Sequence, residues 1–119
     1  MATTLFILND PPYGTERSYN ALRLARHILK KGEDRETVRV FLMGDAAACA
    51  KAGQKVPPGF YNIGDMLGMT IRAGAAAGVC GTCMDARGIT ETELLEGAHR
   101  STMDELTAWT VEADKVLVF

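Results

Sequence analysis

Four short stretches of this chain are apolar on nearly every residue, and that pattern constrains the fold more than any other feature. Residues 4–8, 38–43, 75–80 and 116–119 are each four to six residues long, too short for buried helices, and the second is broken only by Arg39. A strand that alternates apolar and polar residues can leave one face in water. A strand apolar throughout must be covered on both. The segments between these runs carry helical spacing, so the chain is expected to be α/β. The predicted architecture is a three-layer α/β/α sandwich around a mainly parallel sheet of four to five strands.

The connectors add detail. The first run ends in the turn cluster Asn9, Asp10, Pro11, Pro12, Tyr13 and Gly14. From Glu16 the period becomes helical, with Ala21, Leu24, Ala25 and Ile28 on one stripe and Leu22 and Leu29 beside it. Gly32, after Lys30 and Lys31, is the expected helix stop. Residues 46–51 suit a short helix, whereas 52–61, with Gly53, Pro57, Pro58 and Gly59, suit only a surface loop. Asn62 is placed to cap a helix over 63–73 with Ile63, Met66, Leu67 and Ile71 on its apolar face, ended by Gly74. Gly81 opens a turn or helix to Arg87 and Gly88, residues 90–97 read as helix or turn, and a fifth strand fits around 98–100. Ser101 and Asp104 stand at capping-box spacing and predict a helix from Ser101 to Lys115.

With 119 residues, 47% of them hydrophobic, the expectation is one domain spanning 1–119. A chain of this size has little core to spare, so self-association would help it. The net charge of -2, with both signs dispersed, provides no basic stripe for a phosphate backbone, and nucleic acid is not an expected partner. The first ten residues lack the basic region and cleavage site of a secretory signal and are too short to span a bilayer, so no membrane association is expected and the expected location is cytoplasmic. There the three cysteines, which cannot all pair within one chain, are expected to be free thiols.

In open parallel sheets, reactive groups gather in the loops beyond the carboxyl ends of the strands. Three such loops occur here: from Asp10 to Arg17, at Gly44 and Asp45, and from Cys80 to Arg87. The last holds the segment VCGTCMDARG. Cys80 falls at a strand end and Gly81 lets the chain turn, which brings the thiol to the first amides of a helix, a setting that favours the thiolate over an ordinary pKa of ~8.5. Arg17 and Arg87 are candidate cationic neighbours.

Cys80 and Cys83 also form a Cys-x-x-Cys pair with three readings. A thioredoxin-like couple should open a helix after a strand, as here, but Gly81-Thr82 lacks the usual proline. A zinc site is incomplete, since Cys49, the third cysteine, lies on another element. The third reading is that both are small buried hydrophobes. Elsewhere, Cys49 reads as core packing, His27 as a solvated helix residue, and His99 as a capping or subunit-contact residue. Asp10 and Asp45 read as strand terminators and the six methionines as core filler. Gly14-Thr15 lacks the spacing and lysine of a phosphate-binding turn. No metal or organic cofactor is implied.

Taken together, ILNDPPYGTERSYNALRLA, VRVFLMGDAA, VCGTCMDARGI and STMDELTAWTVEADKVLVF resemble, in order and over nearly the whole chain, the DsrE/DsrF-like family with its YchN-like and TusD-like proteins. The resemblance implies an intracellular α/β/α domain assembled as a homotrimer or homohexamer. Members active in sulfur relay hold a cysteine at a strand end, eight residues before the glycine of an Arg-Gly pair, and pass a persulfide from a donor protein to an acceptor protein. Cys80 stands eight residues before Gly88 of Arg87-Gly88, so the role maps onto Cys80 and not onto Cys83. Cys83 is a departure that opens a second route, a disulfide with Cys80 and release of sulfide. Three function classes follow: persulfide carriage on Cys80, thiol–disulfide or reductive chemistry using both cysteines, and a non-enzymatic oligomeric binding or regulatory subunit.

Overall fold

The computed structural model describes residues 1–119. Five strands, β1 (Ala2–Leu8), β2 (Glu36–Leu42), β3 (Ala76–Cys80), β4 (Ala98–Ser101) and β5 (Lys115–Val118), form one sheet in the order β4-β3-β2-β1-β5, every neighbouring pair parallel. Parallel neighbours need crossovers, and four helices supply them: α1 (Arg17–Gly32), α2 (Ile63–Arg72), α3 (Gly81–Ala86) and α4 (Met103–Glu112). The α/β class and the parallel sheet are as expected from the apolar runs, and β4 lies where a fifth strand is expected to fit, around 98–100. No helix is long and apolar enough to cross a membrane.

Strand alternation sorts the apolar runs between two faces. Phe6, Leu8, Val38, Val40, Leu42, Ala77 and Val79 join Ala21, Leu22 and Ala25 of α1 and Ile63 and Leu67 of α2 in a core of 19 buried residues. On the other face Leu5 and Phe41 meet Leu106 and Trp109 of α4 in a cluster of four. The two layers are therefore unequal. Arg39 interrupts its strand on this thinner side, where its guanidinium lies 5.5 Å from the Trp109 ring centre and reaches Glu112 at 2.7 Å.

Some local expectations are corrected. Leu24 is 40% exposed, because the buried stripe of α1 is Ser18, Ala21, Leu22 and Ala25. Gly32 is the last residue of α1 and right-handed, and the left-handed φ of 53° falls on Glu33. A Cβ on Gly32 would stand 2.1 Å from Glu36 Cγ, so this glycine makes room for the start of β2. Residues 46–51 fall mostly within a buried 3-10 turn, Gly44–Ala50. Asn62 caps α2 as expected, accepting from the Asp65 amide at 2.9 Å. The cap of α4 is Thr102, whose hydroxyl accepts from the Glu105 amide, whereas Ser101 ends β4 and donates to the Glu105 carboxylate at 2.6 Å. That helix ends at Glu112, and Lys115 already belongs to β5.

Candidate functional site

Cys80 is both the last residue of β3 and the N-cap of α3. Its position on the strand turns it to the α4 side, against Leu5, Phe41, Leu106 and Trp109, while Cys83, on the first turn of α3, packs against the larger core. Both are partly exposed and Cys49 is buried. The strand-to-helix junction thus brings the two sulfurs of the Cys-x-x-Cys segment together from opposite sides of the sheet edge.

The electrostatics separate the three thiols. Desolvation opposes the Cys80 anion, but the Cys83 thiol, the Thr82 hydroxyl at 3.4 Å and the amides of Cys83 and Thr82 outweigh it, so the Cys80 thiol lies below its ordinary value. Cys83 moves the other way. Desolvation and its hydrogen bond to Cys80 raise it, against the Gly44 amide and the Arg87 charge. Burial pushes the Cys49 thiol up to about 12, and its sulfur lies 3.7 Å from the Asp10 carbonyl. Cys49 does not join the pair. No group of three His, Cys, Asp or Glu side chains is placed to hold a metal ion.

The loop after β2 completes the surroundings. Gly44, left-handed at φ 55°, turns its N–H to Cys83 Sγ at 3.1 Å, a conformation that glycine adopts without strain. Arg87 donates to Asp45 Oδ1 from Nε and Nη2 at 3.2 and 2.7 Å and to the Cys83 carbonyl at 3.0 Å. Asp45, read from sequence as a strand terminator, is therefore also an anchor for α3. Arg17 sits apart: its side chain is 71% exposed and its charge faces Asp10 at 3.8 Å, not the thiols. His27 is exposed on α1 and bonds the Arg23 carbonyl. His99 pairs with Glu105 of its own chain.

Two neighbours of Cys80 were not legible as such. Thr82 lies inside the motif but carries no signal beyond its hydroxyl. Arg100 lies 20 residues downstream on β4, where its guanidinium covers Gly81 and grips Asp85. The one trace it leaves in the sequence is a glycine where a helix-favouring residue would serve. A groove of about 420 Å³ between α1 and α2, with Leu22, Arg26, His27, Lys30, Met66 and Met69 among its walls, contains none of the cysteines.

Comparison with known proteins agrees with this architecture. Protein YchN of Escherichia coli is 40% identical over 119 residues, covering all of both chains, and an uncharacterized protein of Methanopyrus kandleri is 38% identical over 113 residues, covering 95% of this chain and 90% of the relative. The crystal structure of the Escherichia coli YchN protein superposes with a TM-score of 0.92 over the full length of both chains. A protein of unknown function from Methanobacterium thermoautotrophicum shares the fold at a TM-score of 0.80 with 12% identity. The DsrE/DsrF-like family model matches residues 3–119, and with full-length relatives at this identity the chain belongs to the DsrE/DsrF-like family.

Proposed function

We propose that this protein carries sulfur as a persulfide on Cys80 and delivers it to a thiol of a partner protein. The observation that carries the reading is that Cys80 alone combines partial exposure with a lowered thiol, at the carboxyl edge of the sheet. The association of the family with sulfur relay supports it. The Cys80 thiolate attacks the outer sulfur of a donor persulfide, one S–S bond forms as another breaks, and the donor leaves as a thiolate. An acceptor thiolate then repeats the exchange on the outer sulfur held by Cys80. Neither step changes the overall oxidation state, so no metal or organic cofactor is needed. We place the exchange in the cytoplasm, where thiols stay reduced.

In this scheme Arg87 acts indirectly, tying α3 to Asp45 and to the Cys83 carbonyl. Arg17 has no part that its contacts support. A second reading draws on the proximity of Cys83: its thiolate attacks the inner sulfur, a Cys80–Cys83 disulfide forms, hydrosulfide leaves, and an external thiol reductant supplies two electrons to reopen the bond. The raised Cys83 thiol weighs against it, because a protonated sulfur is a poor nucleophile. Loading with glutathione persulfide, followed by intact-mass spectrometry, tests both. Wild type and Cys83→Ser should each gain one sulfur and lose it equally slowly until an acceptor thiol is added, and Cys80→Ser should gain none. Loading of Cys80→Ser to the wild-type level would sink the relay. Rapid sulfide release from wild type, abolished in Cys83→Ser, would favour the reductive reading.

A further inference from the structure

Gly81 opens α3 without any demand from its backbone. Its φ is not left-handed, and alanine is favoured over glycine by about 1 kcal/mol in a helix interior. What demands glycine is Arg100. A Cβ at position 81 would stand 2.9 Å from both Cζ and Nε of Arg100, closer than real Cβ contacts allow, and 3.0 Å from Nη2, so the guanidinium would have to shift. The guanidinium thus rests on the peptide that follows Cys80.

Asp85 fixes it there. Nη1 donates to Oδ1 at 2.8 Å and Nη2 to Oδ2 at 3.0 Å, a two-pronged pair that binds strand β4 to helix α3. Such a pair restricts the guanidinium to one position, which a lysine could not match. The arrangement has one geometric result, a permanent positive charge held over Gly81, the residue that follows Cys80. The Arg100 hydrogen bonds keep the Asp85 carboxyl below its usual range, and Arg100 is held protonated chiefly by Asp85 and, to a smaller degree, by the charge of Glu91 and then by a Cys80 anion.

We propose that Arg100 is the positioning residue of the sulfur site: seated on Gly81 and gripped by Asp85, its guanidinium is the electrostatic partner of the sulfur anion at Cys80, whether thiolate or persulfide. This rests on the reading of Cys80 as the sulfur carrier. The other charged and titratable groups around the junction are already engaged. Cys83 is bonded to the Gly44 amide, Arg87 is paired with Asp45, and Glu105 of α4 is held by Ser101 and His99 of β4. Glu91 acts on Arg100 through its charge alone, as Cys80 does, with no hydrogen bond between them. Because Asp85 offsets part of the charge, the effect on Cys80 is modest.

The test is the pH profile of iodoacetamide alkylation at Cys80, located by fragment mass spectrometry, in wild type, Arg100→Ala, Arg100→Lys and Gly81→Ala. Arg100→Ala is expected to raise the midpoint by about half a pH unit, which lowers the thiolate fraction at neutral pH about threefold. Gly81→Ala should shift it the same way by dislodging the guanidinium, and Arg100→Lys, which keeps the charge, should recover part of the loss. In 1 M salt, with a screening length of about 3 Å, the shift should shrink. An unmoved midpoint in Arg100→Ala, no recovery with lysine, or a shift indifferent to salt overturns the proposal. Alkylation needs no sulfur donor, so the two readings separate. A shifted midpoint without persulfide loading rejects the relay and keeps Arg100, and loading with an unmoved midpoint does the reverse.

Discussion

Three cysteines in one chain differ here because of what surrounds each sulfur. Cys49 lies in the buried 3-10 turn Gly44–Ala50, where the Ser18 hydroxyl and a backbone amide offset too little of the loss of water, and it keeps its proton up to about 12. Cys80 also loses water, but it is met by a hydroxyl, a thiol and two amides, and these prevail. The sign follows directly: a lowered thiol holds more of its anion at neutral pH than an ordinary one, and its reactivity rises as pH passes through the lowered midpoint. In native protein at neutral pH, Cys80 should be the fastest-alkylated thiol, and Cys49 should react only after urea unfolding. Mass spectrometry of the alkylated peptides checks this. Native Cys49 reacting as fast as Cys80 would mean that the burial argument is wrong.

At the scale of elements, both short helices beside the site depend on their ends. α3 has only six residues, far fewer than an isolated helix needs. It is held by buried Met84, by Asp85 paired with Arg100, and by Arg87 paired with Asp45. α4 begins with Thr102 accepting from the Glu105 amide, while Ser101, one residue earlier, is drawn back into the sheet opposite Cys80. Thr102→Ala should therefore cost about 1 kcal/mol in urea unfolding, and Thr102→Ser should retain most of that stability. An alanine variant as stable as wild type would show that Thr102 is not the cap.

The whole molecule is covered unevenly. α1 and α2 bury one face of the sheet, whereas on the other α4 leaves β5 bare: Val116 is 39% and Val118 65% exposed, in register with Leu5 and Ile7. Apolar residues in a row on a sheet face favour association with another surface. We expect a homo-oligomer, trimeric or hexameric, with this strip against a second copy. The loop over residues 52–61, with Pro57, Pro58, Phe60 and Tyr61, is a second candidate contact but a weaker one, since Tyr61 is occupied by Tyr19 and Tyr13, with ring centres 4.4 and 5.9 Å away, and of its two aromatic rings only Phe60 projects, 69% exposed. Light scattering at micromolar concentration should give an oligomer that Val118→Asp weakens and Phe60→Ser leaves intact. A wild-type monomer would refute the assembly, and the opposite response of the two variants would move the contact to the loop.

The class of fold and the location of Cys80 were determined by the sequence alone, because both depend on local patterns. Continuous apolar runs require two-sided cover, and a cysteine followed by glycine between such a run and a helical segment can only sit at a strand-to-helix junction. The order of strands, the unequal layers and the company of the thiol were decided by tertiary structure. Arg17 and Arg87 were equal candidates on charge and proximity in sequence, yet the fold gives Arg87 to α3 and Asp45 and leaves Arg17 with Asp10. Arg100 had no local mark, because it reaches Gly81 only when β4 pairs with β3. Backbone periodicity is written in neighbouring residues. A guanidinium laid over the glycine after a thiol is a meeting of residues from separate strands, and strand pairing, which no single segment encodes, is what arranges it.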